Sequence, residues 1–154
     1  IDAIIEANKK QKMRIVERLK KRMPNISGKT IGILGLAFKA ETDDIRESPA
    51  IDIVNELLKL GAIVKVHDPQ AMYNFKEKYE DKVSYCNNEY EVSKDADALL
   101  ILTEWNEYRS LDLRRIKSAM KSPYIFDTRN VLDRDELNEL GFSFDLIGQK
   151  TMEA

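Results

Sequence analysis

From residue 30 onward, short apolar runs alternate with longer amphipathic stretches, and this alternation constrains the fold more than any other feature of the sequence. The apolar runs are short enough to be strands buried on both faces of a parallel sheet. The predicted strands are residues 31–35, 62–67, 83–85, 97–102, 124–126 and 142–147. The predicted helices between them are residues 49–60, 71–79, 113–120 and 133–140. Strands alternating with helices predict an α/β fold, a Rossmann-like, doubly wound parallel sheet.

Two of the helices carry clear boundary residues. Ser48 is a good N-cap, Pro49 suits the first helical position, and Gly61 suits the position just past the end. Asp133, with Glu136 three residues later, forms an Asp-headed variant of the capping box. Ser48-Pro49 and Asp133 therefore predict where the two helices begin, and Gly61 predicts where the first one ends.

A long N-terminal helix precedes the α/β region. Residues 1–23 contain no glycine or proline, so we predict one helix ending before Pro24, as a linker or dimerisation helix over residues 1–24. The main domain is then residues 29–150. Polar residues interrupt the apolar stripe of this helix, so we expect its apolar ends to pack on something outside this sequence, as in a homodimer. The chain starts at Ile1 on helical residues, and we expect it to be part of a longer polypeptide.

Composition excludes several functional classes. The chain has one cysteine, Cys86, and one histidine, His67, which cannot form a disulfide framework or a Cys/His zinc site, so we expect no metal. A single thiol is typical of a reducing compartment, and we expect a cytoplasmic protein. The net charge of −2 argues against a nucleic-acid partner. No apolar run reaches the roughly 18 residues of a membrane span, so no membrane partner is expected.

The segment after the first strand has the properties of an anion-binding loop. Gly35 permits a sharp turn and a close approach to a ligand, Lys39 supplies a mobile cation, and Ser48-Pro49 begins a helix whose amides attract anions. The dinucleotide fingerprint is not matched, because Gly32 and Gly35 are three residues apart and Phe38 stands where the third glycine would fall. On pattern alone, a ligand-binding loop and a close-packing loop with a solvated lysine are equally acceptable.

Four segments, in order, resemble one family. GILGLAFKAETDDIRESPA at residues 32–50 resembles the G-x-A-F-K-x-x-T-x-D-x-R-E-S/A signature of the UDP-glucose/GDP-mannose dehydrogenase family. NKKQ at residues 8–11 resembles the N-x-x-Q pair of its central helix. ILTEW at residues 101–105 and FDTRN at residues 126–130 resemble two further motifs. The resemblance runs from about Asn8 to Gly148 and points to the family's C-terminal, nucleotide-sugar-binding domain.

The resemblance implies roles for four residues. Lys39 matches the family lysine that contacts the nucleotide sugar, with Phe38 shaping the pocket beside it. Arg129 matches an arginine at the substrate pocket; without the motif, an ion pair with Asp127 or Asp133 would be the preferred interpretation. Arg46 matches the arginine that reaches NAD bound on the partner domain. Exposed acids near Lys39 and Arg46 could hold a metal, but are better interpreted as partners that orient these cations.

The resemblance also implies an activity: NAD-dependent oxidation of UDP-glucose to UDP-glucuronate for polysaccharide biosynthesis, through a cysteine nucleophile in a G-G-x-C-x-P-K-D motif. That motif is absent from this sequence. Cys86 lacks a basic neighbour and a glycine turn, so we assign no catalytic residue and expect this chain alone to be inactive. Alternatives are a domain acting on UDP-N-acetylmannosamine or GDP-mannose, or a non-catalytic nucleotide-binding or dimerisation module.

Two aromatic side chains remain without an assigned role. His67 ends a strand beside Asp68-Pro69, where a lone histidine is usually a satisfied turn residue, although a proton relay is conceivable. Trp105 could stack a base, but a tryptophan after a central strand more often packs between the rim of the sheet and a helix.

Overall fold

A computed structural model describes the backbone of residues 2–147 and the side chains of residues 10–147. The side chain of Asn8, Gly148 at the end of the family resemblance, and residues 148–150 of the predicted domain lie outside the described residues. The strands are β1 Thr30–Leu34, β2 Ile63–His67, β3 Ser84–Tyr85, β4 Ala98–Ile101, β5 Tyr124–Asp127 and β6 Ser143–Leu146. The helices are α1 Asp2–Arg22, α2 Pro49–Lys59, α3 Met72–Tyr79, α4 Glu89–Ser93, α5 Leu113–Ala119 and α6 Arg134–Glu139.

The six strands form one parallel sheet in the order β3-β2-β1-β4-β5-β6, which confirms the predicted doubly wound α/β fold. Strands β4 and β5 are buried throughout, as continuous apolar runs require. The chain winds outward from β1 to β3, returns to the centre, and then winds the other way from β4 to β6. Since parallel crossovers are right-handed, α2 and α4 lie on opposite faces of the sheet. The direction changes between β1 and β4, where α/β folds commonly bind ligands.

The predicted helix boundaries of α2 and α6 are confirmed. The Ser48 side chain accepts a hydrogen bond from the Ala50 N–H at 3.2 Å, Pro49 is the first helical residue, and Gly61 has a φ of 85°. The Asp133 side chain accepts hydrogen bonds from two N–H groups in the first turn of α6. Local side-chain chemistry therefore fixes both helix starts.

Helix α1 confirms the predicted helix but corrects its packing. Ile15, Val16 and Leu19 are at most 4% exposed and belong to the core of this domain. The prediction that the apolar ends of the helix pack on something outside the sequence is therefore wrong for its second half. Lys12 adds an ion pair to Asp52 on α2, with 2.8 Å between Nζ and Oδ2. The apolar side chains before residue 10 lie outside the described residues.

The structure adds three short elements to those predicted: α4 and the 3₁₀ segments Glu80–Lys82 and Asn106–Ser110. None of them is long enough to show a helical period in the sequence. The sequence did contain one signal for α4, because asparagine is a favoured N-cap residue and Asn88 stands just before this helix. In the structure its side chain accepts hydrogen bonds from the N–H groups of Tyr90 and Glu91. Among the described residues, no helix is both long and apolar enough to cross a membrane.

Candidate functional site

A cavity of about 480 Å³ lies between α1, the start of α2, and the loops that follow β1 and β5. Its wall includes Gln11 from the NKKQ segment, Phe38 from the loop after β1, and Thr128 and Arg129 from the loop after β5. Its volume falls within the roughly 300–1,000 Å³ range of small-molecule sites. Three of the four segments that carry the family resemblance therefore meet at one cavity.

The buried carboxylate of Asp68 holds the loop after β1 in place. Asp68 is 2% exposed and follows β2 directly. Its two oxygens accept five hydrogen bonds of 2.7–3.0 Å, from the backbone N–H groups of Leu36, Ala37, Gln70 and Ala71 and the indole N–H of Trp105. Because a buried carboxylate needs donors, these contacts fix the residues just before Phe38.

Gly35 and Thr103 bring the ends of β1 and β4 into contact. Gly35 has a φ of 102°, and a Cβ added there would lie 2.5 Å from Thr103 Oγ1. The same hydroxyl donates to the Ala37 carbonyl at 2.7 Å. The missing side chain of Gly35 thus accommodates Thr103, which favours the close-packing alternative at this position over the close approach of a ligand.

Arg129 is held at the cavity by a charged partner. Its Nε and Nη2 atoms each lie 2.6 Å from Glu104 Oε2, in the ILTEW segment. From the sequence, Asp127 or Asp133 was the expected partner, but Asp127 is fully buried and its oxygens accept backbone N–H groups, including those of Arg129 and Val131. The sequence did not single out Glu104. Its place beside Arg129 brings the fourth motif segment to the cavity.

Lys39 lies beside the cavity and outside its wall. The side chain is exposed, and its ammonium lies 5.3 Å from the centre of the Phe38 ring. Phe38 itself is half-buried and lines the cavity. The cations in the wall are Lys12 and Arg129, each paired with an acidic side chain.

Arg46 lies near the end of the loop that follows β1. Its contact with Asp44 confirms the prediction that nearby acids orient this cation. Its Nε and Nη2 atoms donate to both carboxylate oxygens of Asp44 at 2.8–3.2 Å. These hydrogen bonds lower the pKa of Asp44 to about 2 and raise the pKa of Arg46. The guanidinium side chain remains 86% exposed. The Asp44 carbonyl also accepts the Phe38 N–H at 3.0 Å, which connects this ion pair to the cavity loop.

The remaining reactive side chains lie apart from the cavity wall. Trp105 is 4% exposed, so it packs in the interior as predicted and offers no exposed ring face to a base; it also donates its indole N–H to Asp68. His67 is buried, with Nδ1 3.3 Å from the Tyr108 hydroxyl, and burial lowers its pKa. Burial also raises the pKa of the Cys86 thiol, which favours the unreactive protonated form.

Comparison with known proteins connects this arrangement to one family. Residues 32–134 match the profile of the UDP-glucose/GDP-mannose dehydrogenase family, UDP binding domain. The UDP-glucose 6-dehydrogenase TuaD of Bacillus subtilis is 40% identical over 149 residues, covering 97% of this chain and 32% of the relative. The chain thus spans about a third of the length of this relative.

Two solved structures share the fold. A UDP-glucose dehydrogenase from Pyrobaculum islandicum superposes with a TM-score of 0.75 at 32% identity, covering 84% of this chain and 28% of that one. A UDP-D-ManNAc dehydrogenase from Pyrococcus horikoshii gives a TM-score of 0.68 at 29% identity, covering 87% and 29%. With the matched profile covering most of the sheet and two of the cavity-forming loops, the chain belongs to the UDP-glucose/GDP-mannose dehydrogenase family and contains its UDP binding domain.

Proposed function

We propose that this chain is the nucleotide-sugar-binding part of an NAD-dependent UDP-glucose 6-dehydrogenase that forms UDP-glucuronate. The observation that carries the proposal is the convergence of four separate sequence segments on one cavity, three of them in its wall and the fourth through the Glu104–Arg129 pair. The similar proteins from B. subtilis and P. islandicum are a UDP-glucose 6-dehydrogenase and a UDP-glucose dehydrogenase, which supports this substrate.

Phe38, Lys39 and Arg129 are the proposed substrate-binding residues. A diphosphate entering the cavity would compete with Glu104 for the Arg129 guanidinium, whose fork geometry suits phosphate oxygens as well as a carboxylate. Lys39 has a flexible side chain next to Phe38 and can supply a second positive charge from the cavity rim. Phe38 offers an apolar wall to the sugar or the base.

Arg46 is the proposed contact to NAD, which the family binds mainly outside this chain. When bound, NAD supplies the hydride acceptor for oxidation of the sugar alcohol. The fit rests on the Arg46 side chain, which is 86% exposed and held outward by Asp44. An exposed guanidinium with donors on several edges suits a pyrophosphate. The nucleophilic cysteine motif is also outside this sequence, so we expect no turnover by this chain alone.

We further propose a cytoplasmic enzyme that forms a homodimer through α1. The chain has a single cysteine, Cys86, which is buried, and this low cysteine content supports a reducing compartment. The second half of α1 is committed to this domain, so a dimer contact would use its first half. Sedimentation of the intact enzyme tests the dimer.

A second candidate substrate is UDP-N-acetylmannosamine. It is favoured by the similarity to the P. horikoshii UDP-D-ManNAc dehydrogenase. Both candidates share the uridine diphosphate that the cavity is proposed to bind, so they differ only at the sugar. Competition between UDP-glucose and UDP-N-acetylmannosamine for the cavity, measured against bound UDP, separates them.

Calorimetric titration of the chain with UDP, UDP-glucose, GDP and NAD tests the proposal. We expect binding of the uridine nucleotides and no NAD turnover. Arg129→Ala and Lys39→Ala should each weaken UDP binding about tenfold or more, because hydrogen bonds to charged groups contribute about 1.5–3 kcal/mol. Lys82→Ala, at an exposed lysine in a 3₁₀ segment, is the matched control. Unchanged UDP affinity in both cavity variants would refute the assignment.

A further inference from the structure

The Lys12–Asp52 ion pair lies between two cavities. Lys12 Nζ is 2.8 Å from Asp52 Oδ2, and this contact joins α1 to α2. Both side chains, together with Glu47, line the candidate cavity of about 480 Å³ and also a second cavity of about 420 Å³. The second cavity lies beside Arg46 and extends to Lys78 on α3. The ion pair is therefore part of the wall that separates the candidate nucleotide-sugar site from its neighbour.

The charges in the wall of the candidate cavity cancel one another. The wall contains four charged side chains, two basic and two acidic: Lys12, Arg129, Glu47 and Asp52. Lys12 is paired with Asp52. Arg129 is paired with Glu104. Because a diphosphate is strongly anionic, it gains a net attraction only where a cation exchanges its acidic partner for phosphate oxygens.

Exposure decides which member of the Lys12–Asp52 pair can leave. The side chain of Lys12 is 19% exposed, and that of Asp52 is 47% exposed. A largely buried lysine stem keeps the ammonium at the wall, whereas a half-exposed carboxylate can turn into water at little cost. Asp52 also lies in the first turn of α2, where the positive end of the helix dipole stabilises a carboxylate even without Lys12. Asp52 is thus the member that an entering anion displaces.

The second cavity gives Asp52 room to turn away from Lys12. Its wall contains Asp52 together with the basic side chains of Arg46 and Lys78. Lys78 is exposed and lies in the last turn of α3. A carboxylate that turns into this cavity stays near positive charge, which lowers the cost of leaving Lys12.

We propose that Lys12 is a further diphosphate-binding residue of the candidate site and that Asp52 is the anion that Lys12 exchanges for the ligand. This inference rests on the proposed function, because the diphosphate is that of the proposed nucleotide sugar. Lys12 reaches the cavity from α1 and Arg129 from the loop after β5, so the two cations approach the phosphates from separate elements. Asp52 thereby tunes the affinity, since a stronger hold on Lys12 weakens binding of the ligand.

Calorimetric titration of the chain with UDP tests the exchange in two steps. Asp52→Asn should tighten UDP binding about two- to fivefold, because the ligand no longer displaces a partly exposed carboxylate. Adding Lys12→Met to Asp52→Asn should then weaken UDP binding at least about tenfold relative to Asp52→Asn, because a charged hydrogen bond to phosphate is lost. The double variant leaves neither member of the pair as an unpartnered charge, so we expect it to fold.

Two matched controls separate contact from a general effect of charge. Lys10→Met removes the same charge from an exposed position of the same helix, outside the cavity wall. Glu56→Gln removes an acidic charge from the next turn of α2, also outside the wall. Each should change UDP affinity less than about twofold. Uridine, which lacks the phosphates, should bind Asp52→Asn and the double variant equally within about twofold in an NMR titration. Thermal unfolding verifies that every variant is folded.

Three results would overturn the inference while leaving the proposed function intact. One is an Asp52→Asn variant that binds UDP no more tightly than the unsubstituted chain. Another is equal UDP affinity in Asp52→Asn and in the folded double variant, which would show that Lys12 does not contact the ligand. The third is a loss in Lys10→Met as large as the loss caused by Lys12→Met. Absence of UDP binding by the unsubstituted chain would instead overturn the proposed function, and this inference with it.

Discussion

Replacing Asp68 by asparagine tests the largest single set of hydrogen bonds behind the candidate cavity. The carboxylate accepts three hydrogen bonds at Oδ2 and two at Oδ1. Asparagine has one acceptor oxygen. In its better orientation the oxygen replaces Oδ2, and the NH₂ group then faces the N–H groups of Gln70 and Ala71. Two donors lose their acceptor, and at about 1–3 kcal/mol for each unsatisfied donor the variant should lose about 2–6 kcal/mol of unfolding free energy.

Urea denaturation followed by tryptophan fluorescence measures this loss directly. Trp105 is the only tryptophan and donates its indole N–H to Asp68, so its emission reports both unfolding and the local contact. Asp81→Asn, at an exposed aspartate, is the matched control and should stay within about 0.5 kcal/mol of the original chain. If Asp68→Asn loses less than about 1 kcal/mol, the carboxylate does not hold the loop and the reasoning fails.

Three further outcomes are expected. Gly35→Ala should lose more than about 2 kcal/mol of unfolding free energy in urea, because its φ of 102° and the adjacent hydroxyl leave no room for a Cβ; near-equal stability would contradict this. Leu19→Ala, fully buried on α1, should lose about 2–5 kcal/mol, whereas a loss below about 1 kcal/mol would mean that α1 does not belong to the core. By carboxyl ¹³C NMR, Asp44 should titrate near a pKa of about 2, and nearer 3.8 in Arg46→Ala. Because the folded pKa is lowered, the stabilisation by this pair should be complete above pH 3.8 and disappear as the pH falls towards 2; equal titration in both proteins would exclude the pairing.

The order of helices and strands was predictable because its signals are local. Continuous apolar runs mark the buried strands, and Ser48, Gly61 and Asp133 mark helix ends through their own backbone contacts. The short helix α4 was missed, since five residues cannot display a helical period.

The candidate site was predictable only in part. The family resemblance selected Phe38 and Arg129, and the structure brings both to one cavity. The Glu104–Arg129 pair joins residues 25 positions apart, and nothing in the local sequence specifies which acid the guanidinium meets. The packing of Leu19 was misjudged for a related reason: an interrupted stripe on a helix does not reveal that the domain downstream covers its second half.

Helix α1 contributes to two parts of the molecule at once. Gln11 and Lys12 stand in the cavity wall, and within two turns Ile15 and Leu19 are fixed in the core. A helix of 21 residues is a stiff rod of about 30 Å. Because its second half is packed in the core, the helix holds Gln11 and Lys12 at a fixed height above the sheet, so this wall of the cavity is set by the core and not by a loop.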